Sequence, residues 1–211
     1  RKAEVRYFIE TGKQYTIDSI TKKINSSALD SLYESSRTES LIQKGYPFEI
    51  DRFEAERSRL INLFRNKGVY NFQQNSIQFT AAIDSSGSDT KIPVIIEIND
   101  LQKRENDTLI NFPYRIHQVS KINIYIDTPR QLGQLSSIID SINYNDFNLF
   151  FKGKLKYKPK ALEEVIFIKK GDAYSDLERS QTYRYISNLR NFKYPSITYR
   201  TIDGNKPNLV A

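Results

Sequence analysis

The chain has no cysteine, methionine or tryptophan, one histidine and eight glycines in 211 residues. Without cysteine there are no disulfides, no thiolate metal ligands and no cysteine nucleophile, a composition that permits an oxidising compartment without requiring one. Methionine is missing even at position 1, so we read the sequence as an excised fragment whose targeting signals lie elsewhere. No run approaches the roughly 18 apolar residues of a membrane-spanning helix. The single imidazole, His117, limits acid-base chemistry at neutral pH to one candidate. The few glycines leave little for a phosphate-binding loop, and no Gly-x-Ser-x-Gly or metal-ligand cluster occurs. We therefore expect no catalytic residue, no metal and no cofactor.

What is present is a repeat. Ile42-Gln43-Lys44-Gly45 returns as Ile168-Lys169-Lys170-Gly171, and the same shift of 126 carries Phe48 onto Tyr174, Leu60 onto Ile186, Asn62 onto Asn188 and Leu63 onto Leu189. Upstream, Tyr15-Thr16-Ile17 resembles Tyr114-Arg115-Ile116 at a shift of 99, which pairs Asp18 with His117 and gives the second copy about 27 additional residues. Repetition at this spacing favours two modest domains in tandem. Net charge is +7 and uneven, with 11 Lys or Arg against 5 Asp or Glu in residues 150–195. Such a field favours anionic partners without choosing among them.

Periodicity supplies the elements. Val5, Tyr7 and Ile9 alternate before Thr11-Gly12, reading as a strand that ends a preceding unit over residues 1–12. The first copy, 13–100, opens with a strand over 14–24. A helix capped at Asn25-Ser26-Ser27 carries Leu29, Leu32, Tyr33, Leu41 and Ile42 to Lys44-Gly45. A second helix from Asp51 to Lys67-Gly68 places Phe53, Leu60, Ile61 and Phe64 on one stripe, with Arg57 laying its stem along it. Residues 77–83 and 92–98 then alternate as two strands around a loop at 84–90. The polar stretch 101–112 reads as an inter-domain linker, and its Asn106-Asp107-Thr108 is a sequon common by chance.

The second copy, 113–211, opens with a strand over 114–126 that places His117 on a sheet face. An insertion over about 127–157 offers a short helix at 131–141 and a strand at 147–157 that could pair with the opening strand as a long hairpin. A helix follows from Pro159 to Gly171, with Glu163 and Glu164 near its start. The next helix turns Leu177, Tyr185, Ile186 and Leu189 inward, and Pro195 opens a strand with Ile197 and Tyr199. Asp203-Gly204-Asn205 is a hairpin turn before the closing strand at Lys206. On a strand, Lys152, Lys154, Lys156, Lys158 and Lys160 would share one face opposite Phe151, Leu155 and Tyr157. That face suits a phosphate backbone or anionic headgroups, or guards a strand edge against aggregation.

The order of Gly45-Tyr46-Pro47-Phe48, Arg59-Leu60-Ile61 and Asn66-Lys67-Gly68-Val69-Tyr70-Asn71-Phe72 resembles polypeptide-transport-associated (POTRA) domains. The order recurs in Ile168-Lys169-Lys170-Gly171-Asp172-Ala173-Tyr174, the 182–189 helix and Asn191-Phe192. The chain departs from the pattern in its insertion and in having Phe192-Lys193-Tyr194 where a glycine matching Gly68 belongs. The resemblance implies an α+β fold of tandem strand-helix-helix-strand-strand modules, each with a three-stranded sheet packed on two helices, the second carrying an inserted hairpin or helix. It implies the periplasmic part of a BamA-like or TamA-like outer-membrane assembly protein whose barrel follows Ala211. The partners it implies are unfolded outer-membrane precursors, accessory periplasmic or lipoprotein subunits and that barrel. The penultimate strand of the fold lies at a sheet edge, which makes Ser76, Ile77, Gln78, Phe79, Ile197, Thr198 and Tyr199 the candidates for pairing with an incoming strand. The rival from charge alone is a basic module in which residues 152–160 bind anionic lipid or, less favoured because its aromatics oppose the lysines, nucleic acid.

Overall fold

The computed structural model describes residues 5–82, 90–126, 140–192, 194–202 and 208–211. Residues 5–15 form neither strand nor helix, and Val5, Tyr7 and Ile9 are exposed: alternation alone does not make a strand, and among the described residues no strand lies beside them. The first unit runs β1 (Thr16–Ile24), α1 (Ser27–Ser35), α2 (Ile50–Asn66), β2 (Ile77–Ala81) and β3 (Lys91–Ile98). Its sheet has the order β1-β3-β2, with β1 parallel and β2 antiparallel to β3. Ile17, Ile92, Val94, Ile96 and Ile98 from the sheet meet Leu29, Tyr33, Phe53, Leu60 and Phe64 from the helices in one apolar core.

Helix α1 stops at Ser35, about two and a half turns before the expected Lys44-Gly45. Serines cause this: Ser35 Oγ and Ser36 Oγ donate to the carbonyls of Leu32 and Tyr33, diverting them from the next helical turn. A 3₁₀ turn (Arg37–Glu39) follows, and the chain then runs extended with Ile42 buried and Leu41 exposed. Glu56 of α2 fixes this segment. Its carboxylate is fully buried inside the apolar stripe, accepts from Leu41 N–H at 2.9 Å and Ser40 Oγ at 3.0 Å, and is paired by Arg59 at 2.7 Å. Arg57 lies over the Phe79 ring at 5.3 Å, consistent with a stem laid along the stripe.

Residues 101–112 are not an irregular linker. They form a hairpin of β4 (Leu101–Glu105) and β5 (Thr108–Phe112), turning at Asn106 and Asp107, whose φ angles are +46° and +62°. Leu101 and, beyond it, Tyr114 are buried in the first core, although both follow residue 100.

The second unit contains β6 (Gln118–Ile126), β7 (Asp140–Tyr144), β8 (Phe147–Phe151), α3 (Pro159–Glu163), α4 (Asp176–Asn188), β9 (Arg200–Thr201) and β10 (Asn208–Val210), in a five-stranded sheet of order β7-β8-β6-β10-β9. The insertion thus adds two strands to the three-stranded plan. β8 pairs with β6 in parallel, not as the expected hairpin, because β7 takes the antiparallel place on its other side. Helix α3 ends well before Gly171; Ile168 enters the core in extended chain, and Phe167 N–H donates to Thr182 Oγ1 at 2.9 Å. Leu177, Tyr185 and Leu189 are exposed rather than inward, and Thr182 is the buried residue of α4. The expected strand from Pro195 shrinks to β9. The expected helix at 131–141 falls mainly, and Ile83, the loop at 84–89, Lys193 and the turn at 203–205 fall wholly, outside the described residues.

Main-chain bonds correct the register of the repeat. Ile17 N–H donates to Tyr46 O and Gly45 N–H to Ile17 O in the first unit; Val119 N–H donates to Asp172 O and Gly171 N–H to Val119 O in the second, with the same lengths of 2.9 and 2.7 Å. Phe48 N–H on Tyr15 O is matched by Tyr174 N–H on His117 O. The strands therefore correspond at a shift of 102, not 99, and the second unit gains 126 − 102 = 24 residues before its glycine. Both opening strands skip one residue in their parallel pairing, Asp18 in β1 and Ser120 in β6, the same bulge in the same place. Glu56 and Thr182 also correspond at 126, each holding the N–H of the residue 15 earlier.

Candidate binding surfaces

β2 is an end strand of the first sheet. Ser76 and Ile77 are buried at its start, Ser76 Oγ within 2.8 Å of the Tyr114 hydroxyl, while Gln78 is exposed and Phe79 packs edge-on against Phe53 at 5.3 Å. Among the described residues no strand pairs with the outer main-chain edge of β2, and one of its side-chain faces is anchored. In the second unit β9 is the corresponding end strand, but it holds only two residues. Ile197 and Tyr199 pack on the second core ahead of it, and Thr198 is exposed between them. Burial, assisted by the neighbouring Tyr174, raises the Tyr199 hydroxyl well above its ordinary pKa. The structure does not bring the two sets of edge residues together.

The lysines do not form a strand face. β8 ends at Phe151, Gly153 takes φ +72°, and the chain bends through 152–157 before α3 begins after Lys158. Lys152, Lys154, Lys156 and Lys158 remain exposed while Leu155 and Tyr157 are drawn onto the core, and Lys160 sits on α3. The alternation of sequence records alternate burial of an irregular segment. Glu163 accepts from Asn145 Nδ2 at 2.8 Å, tying α3 to the β7–β8 turn.

A third surface, absent from the sequence-based candidates, joins the units. Gly68, at φ +104° past the end of α2, gives its carbonyl to His117 N–H at 2.9 Å. The His117 ring is buried edge-on against Tyr70 at 4.8 Å, with Nδ1 2.9 Å from Arg115 O, rather than lying on a sheet face. Burial lowers its pKa, opposed by the hydrogen bond to that carbonyl. Tyr174 closes the other side of Tyr70 at 6.0 Å, and burial together with its bond to Asp176 raises its hydroxyl pKa. The N-terminus of α4 is capped from both units: Ser175 Oγ accepts from Glu178 N–H, and Asn66 Oδ1 from Leu177 N–H. Asn66, Gly68 and Tyr70 belong to one motif in the sequence; only the tertiary partner was invisible. Among the described residues no group of three or more His, Asp or Glu is placed to hold a metal, and no helix is long and apolar enough to cross a membrane.

No family model and no curated protein matches the chain. Solved structures do. BamA from Haemophilus ducreyi lacking POTRA domains 1–3 superimposes over 93% of this chain and 28% of its own, at 10% identity and a TM-score of 0.53. POTRA domains 3–5 of BamA from Haemophilus influenzae match over 94% and 95% at 10% identity and a TM-score of 0.32. The N-terminal domain of Omp85 from Thermosynechococcus elongatus matches over 95% and 97% at 6% and 0.27. The chain has the POTRA fold of BamA-like proteins, carried by the first of these likenesses, and it spans just over a quarter of that chain's length.

Proposed function

We propose that this chain is the periplasmic POTRA region of an outer-membrane β-barrel protein that assembles, inserts or translocates other outer-membrane proteins. It acts by binding: unfolded precursors and accessory periplasmic or lipoprotein subunits add to its sheets by main-chain pairing, and the barrel of the same protein lies beyond residue 211. The observation that supports this reading best is the tandem POTRA fold with β2 at an open sheet end. Main-chain hydrogen bonds are indifferent to side chains, so such an edge accepts many precursors. The five residues of β2, Ile77–Ala81, are long enough to bond an added strand; the two of β9 contribute less.

The test places a photo-crosslinker at Gln78, Phe79 and Thr80 in turn and presents an unfolded barrel precursor. Crosslinks should appear at the exposed Gln78 and Thr80, be weaker at Phe79, and change little with salt. If these positions stay silent while charge reversal at Lys152, Lys154, Lys156 and Lys158 abolishes binding, with affinity falling steeply in salt, the chain is a basic binding module instead.

A further inference from the structure

The two units treat the outer edge of their first strand differently. In the second, β8 lies along β6, Ile122–Ile126 against Phe147–Phe151, and buries Phe147, Leu149 and Phe151. In the first, β1 ends the sheet. The shift of 102 sets Ile20–Ile24 where β6 receives β8. Asn25 N–H donates to Ile98 O on the β3 side, so alternation turns the main-chain groups of Ile20, Lys22 and Ile24 to the open side. Beside this edge lies a cleft of about 690 Å³ between Ile20 and Lys22 of β1, Tyr33 and Glu34 at the end of α1, and Ile42 and Lys44 in the extended chain that follows. Its lining is mixed: Ile20, Tyr33 and Ile42 supply apolar surface, and Glu34, Arg37 and Lys44 line the rest. Lys22 spans it to Asp30 and Glu34, holding α1 beside the edge without capping β1.

We propose that the β1 edge and this cleft are a second acceptor site, taking an extended segment in parallel with β1 and placing its alternate apolar side chains in the cleft. The occupant is defined by the second unit, where the homologous edge carries Phe-Asn-Leu-Phe-Phe with its first, third and fifth side chains buried. The inference rests on the reading of these modules as acceptors of extended polypeptide, and adds an edge on the opposite side of the sheet from β2.

The probe is a synthetic peptide of residues 145–152, titrated into the 211-residue chain under NMR observation. Saturable shifts are expected at Ile20, Lys22, Ile24 and residues 42–44, and a spin label on the peptide N-terminus should broaden Ser19 and Ile20 more than Ile24. N-methylation at the peptide positions facing β1 should weaken binding at least tenfold, and at the alternate positions should not. Shifts confined to Gln78 and Thr80 overturn the β1 site while leaving the proposed function standing. Shifts at Ile122–Ile126, showing exchange with β8, also overturn it, as does stronger broadening at Ile24. Saturable binding at no edge overturns both.

Discussion

At Gly68 two constraints meet that are separate elsewhere in the chain. Its φ of +104° is a conformation that side chains resist, and a Cβ there would sit 2.5 Å from Ile116 Cγ2 and 3.3 Å from His117 N, in the second unit. Gly45 shares the positive φ, at +85°, but a Cβ would meet nothing within 4 Å. Gly45→Ala should therefore cost about 1–2 kcal/mol, and Gly68→Ala about 2–4 kcal/mol once overlap is added to backbone strain. Urea midpoints of the two variants measure the difference, which belongs to the junction; equal losses would remove Ile116 from the account. His117 adds a pH dependence. Its folded pKa lies below the unfolded value near 6.5, so the unfolded chain binds the extra proton first and stability falls as pH drops through about 6.5. Glu178, whose carboxyl is raised mainly by burial, acts with the opposite sign at lower pH. Unfolding midpoints at pH 7.5 and 5.5 should thus show a loss that is smaller in His117→Gln than in the parent chain.

Among the elements, the β4–β5 hairpin shows where periodicity fails as a guide. Strand prediction depends on apolar residues recurring on one face, and here Gln102, Lys103, Arg104 and Glu105 are all exposed, so composition reads as linker. The signal was in the turn: Asn106 and Asp107 both adopt positive φ, as a two-residue hairpin loop demands. The helix limits differ from those the pattern predicts for a related reason. The repeat Ile-x-Lys-Gly looks like a helix end twice, yet both stretches are extended chain held by a side chain from the following helix, Glu56 or Thr182, and no local pattern announces a partner 15 residues away. By contrast α2, β2 and β3 were legible because their apolar period matches a face that is buried. For the hairpin we expect Asp107→Gly to change stability by no more than about 0.5 kcal/mol, the relaxed turn offsetting the exposed pair with Arg104. Asp107→Val, β-branched at φ +62°, should cost about 1–2 kcal/mol and speed amide exchange in β4 and β5 roughly tenfold. Unchanged exchange would mean the hairpin is held by its base alone.

For the whole molecule, duplication told more about scaffold than about assembly. Both glycines, both bulges and both sets of edge bonds repeat, and the sequence revealed the copies because those features constrain residue type. It misplaced the strand register by three residues because Tyr-x-Ile recurs by chance in a strand, whereas the hydrogen bonds of Val119 and Ile17 admit one alignment. That β2 ends its sheet follows the edge position that the resemblance implied; the inter-unit surface had no such signal, since it is made by residues distant in sequence. We expect a long-range contact to decide where the first unit ends. Tyr114 packs on Phe72 at 5.0 Å, its hydroxyl meets Ser76 Oγ at 2.8 Å and Gln73 N–H at 3.3 Å, and its own N–H donates to Ser26 Oγ at 2.8 Å. It closes the bottom of the first core while lying after the hairpin that composition assigned to a linker. A chain ending at residue 100 loses Tyr114 and Leu101, both buried, and leaves the Phe72 ring and the Ser26 hydroxyl without these partners. Removing two such core side chains costs on the order of 5 kcal/mol or more, comparable with the whole stability of a domain this small. A chain ending at residue 116 keeps both. Urea unfolding of the two fragments should therefore give a cooperative transition for the longer and a broad or absent one for the shorter; similar midpoints would place the end of the first unit at Ile98 and make Tyr114 part of the second.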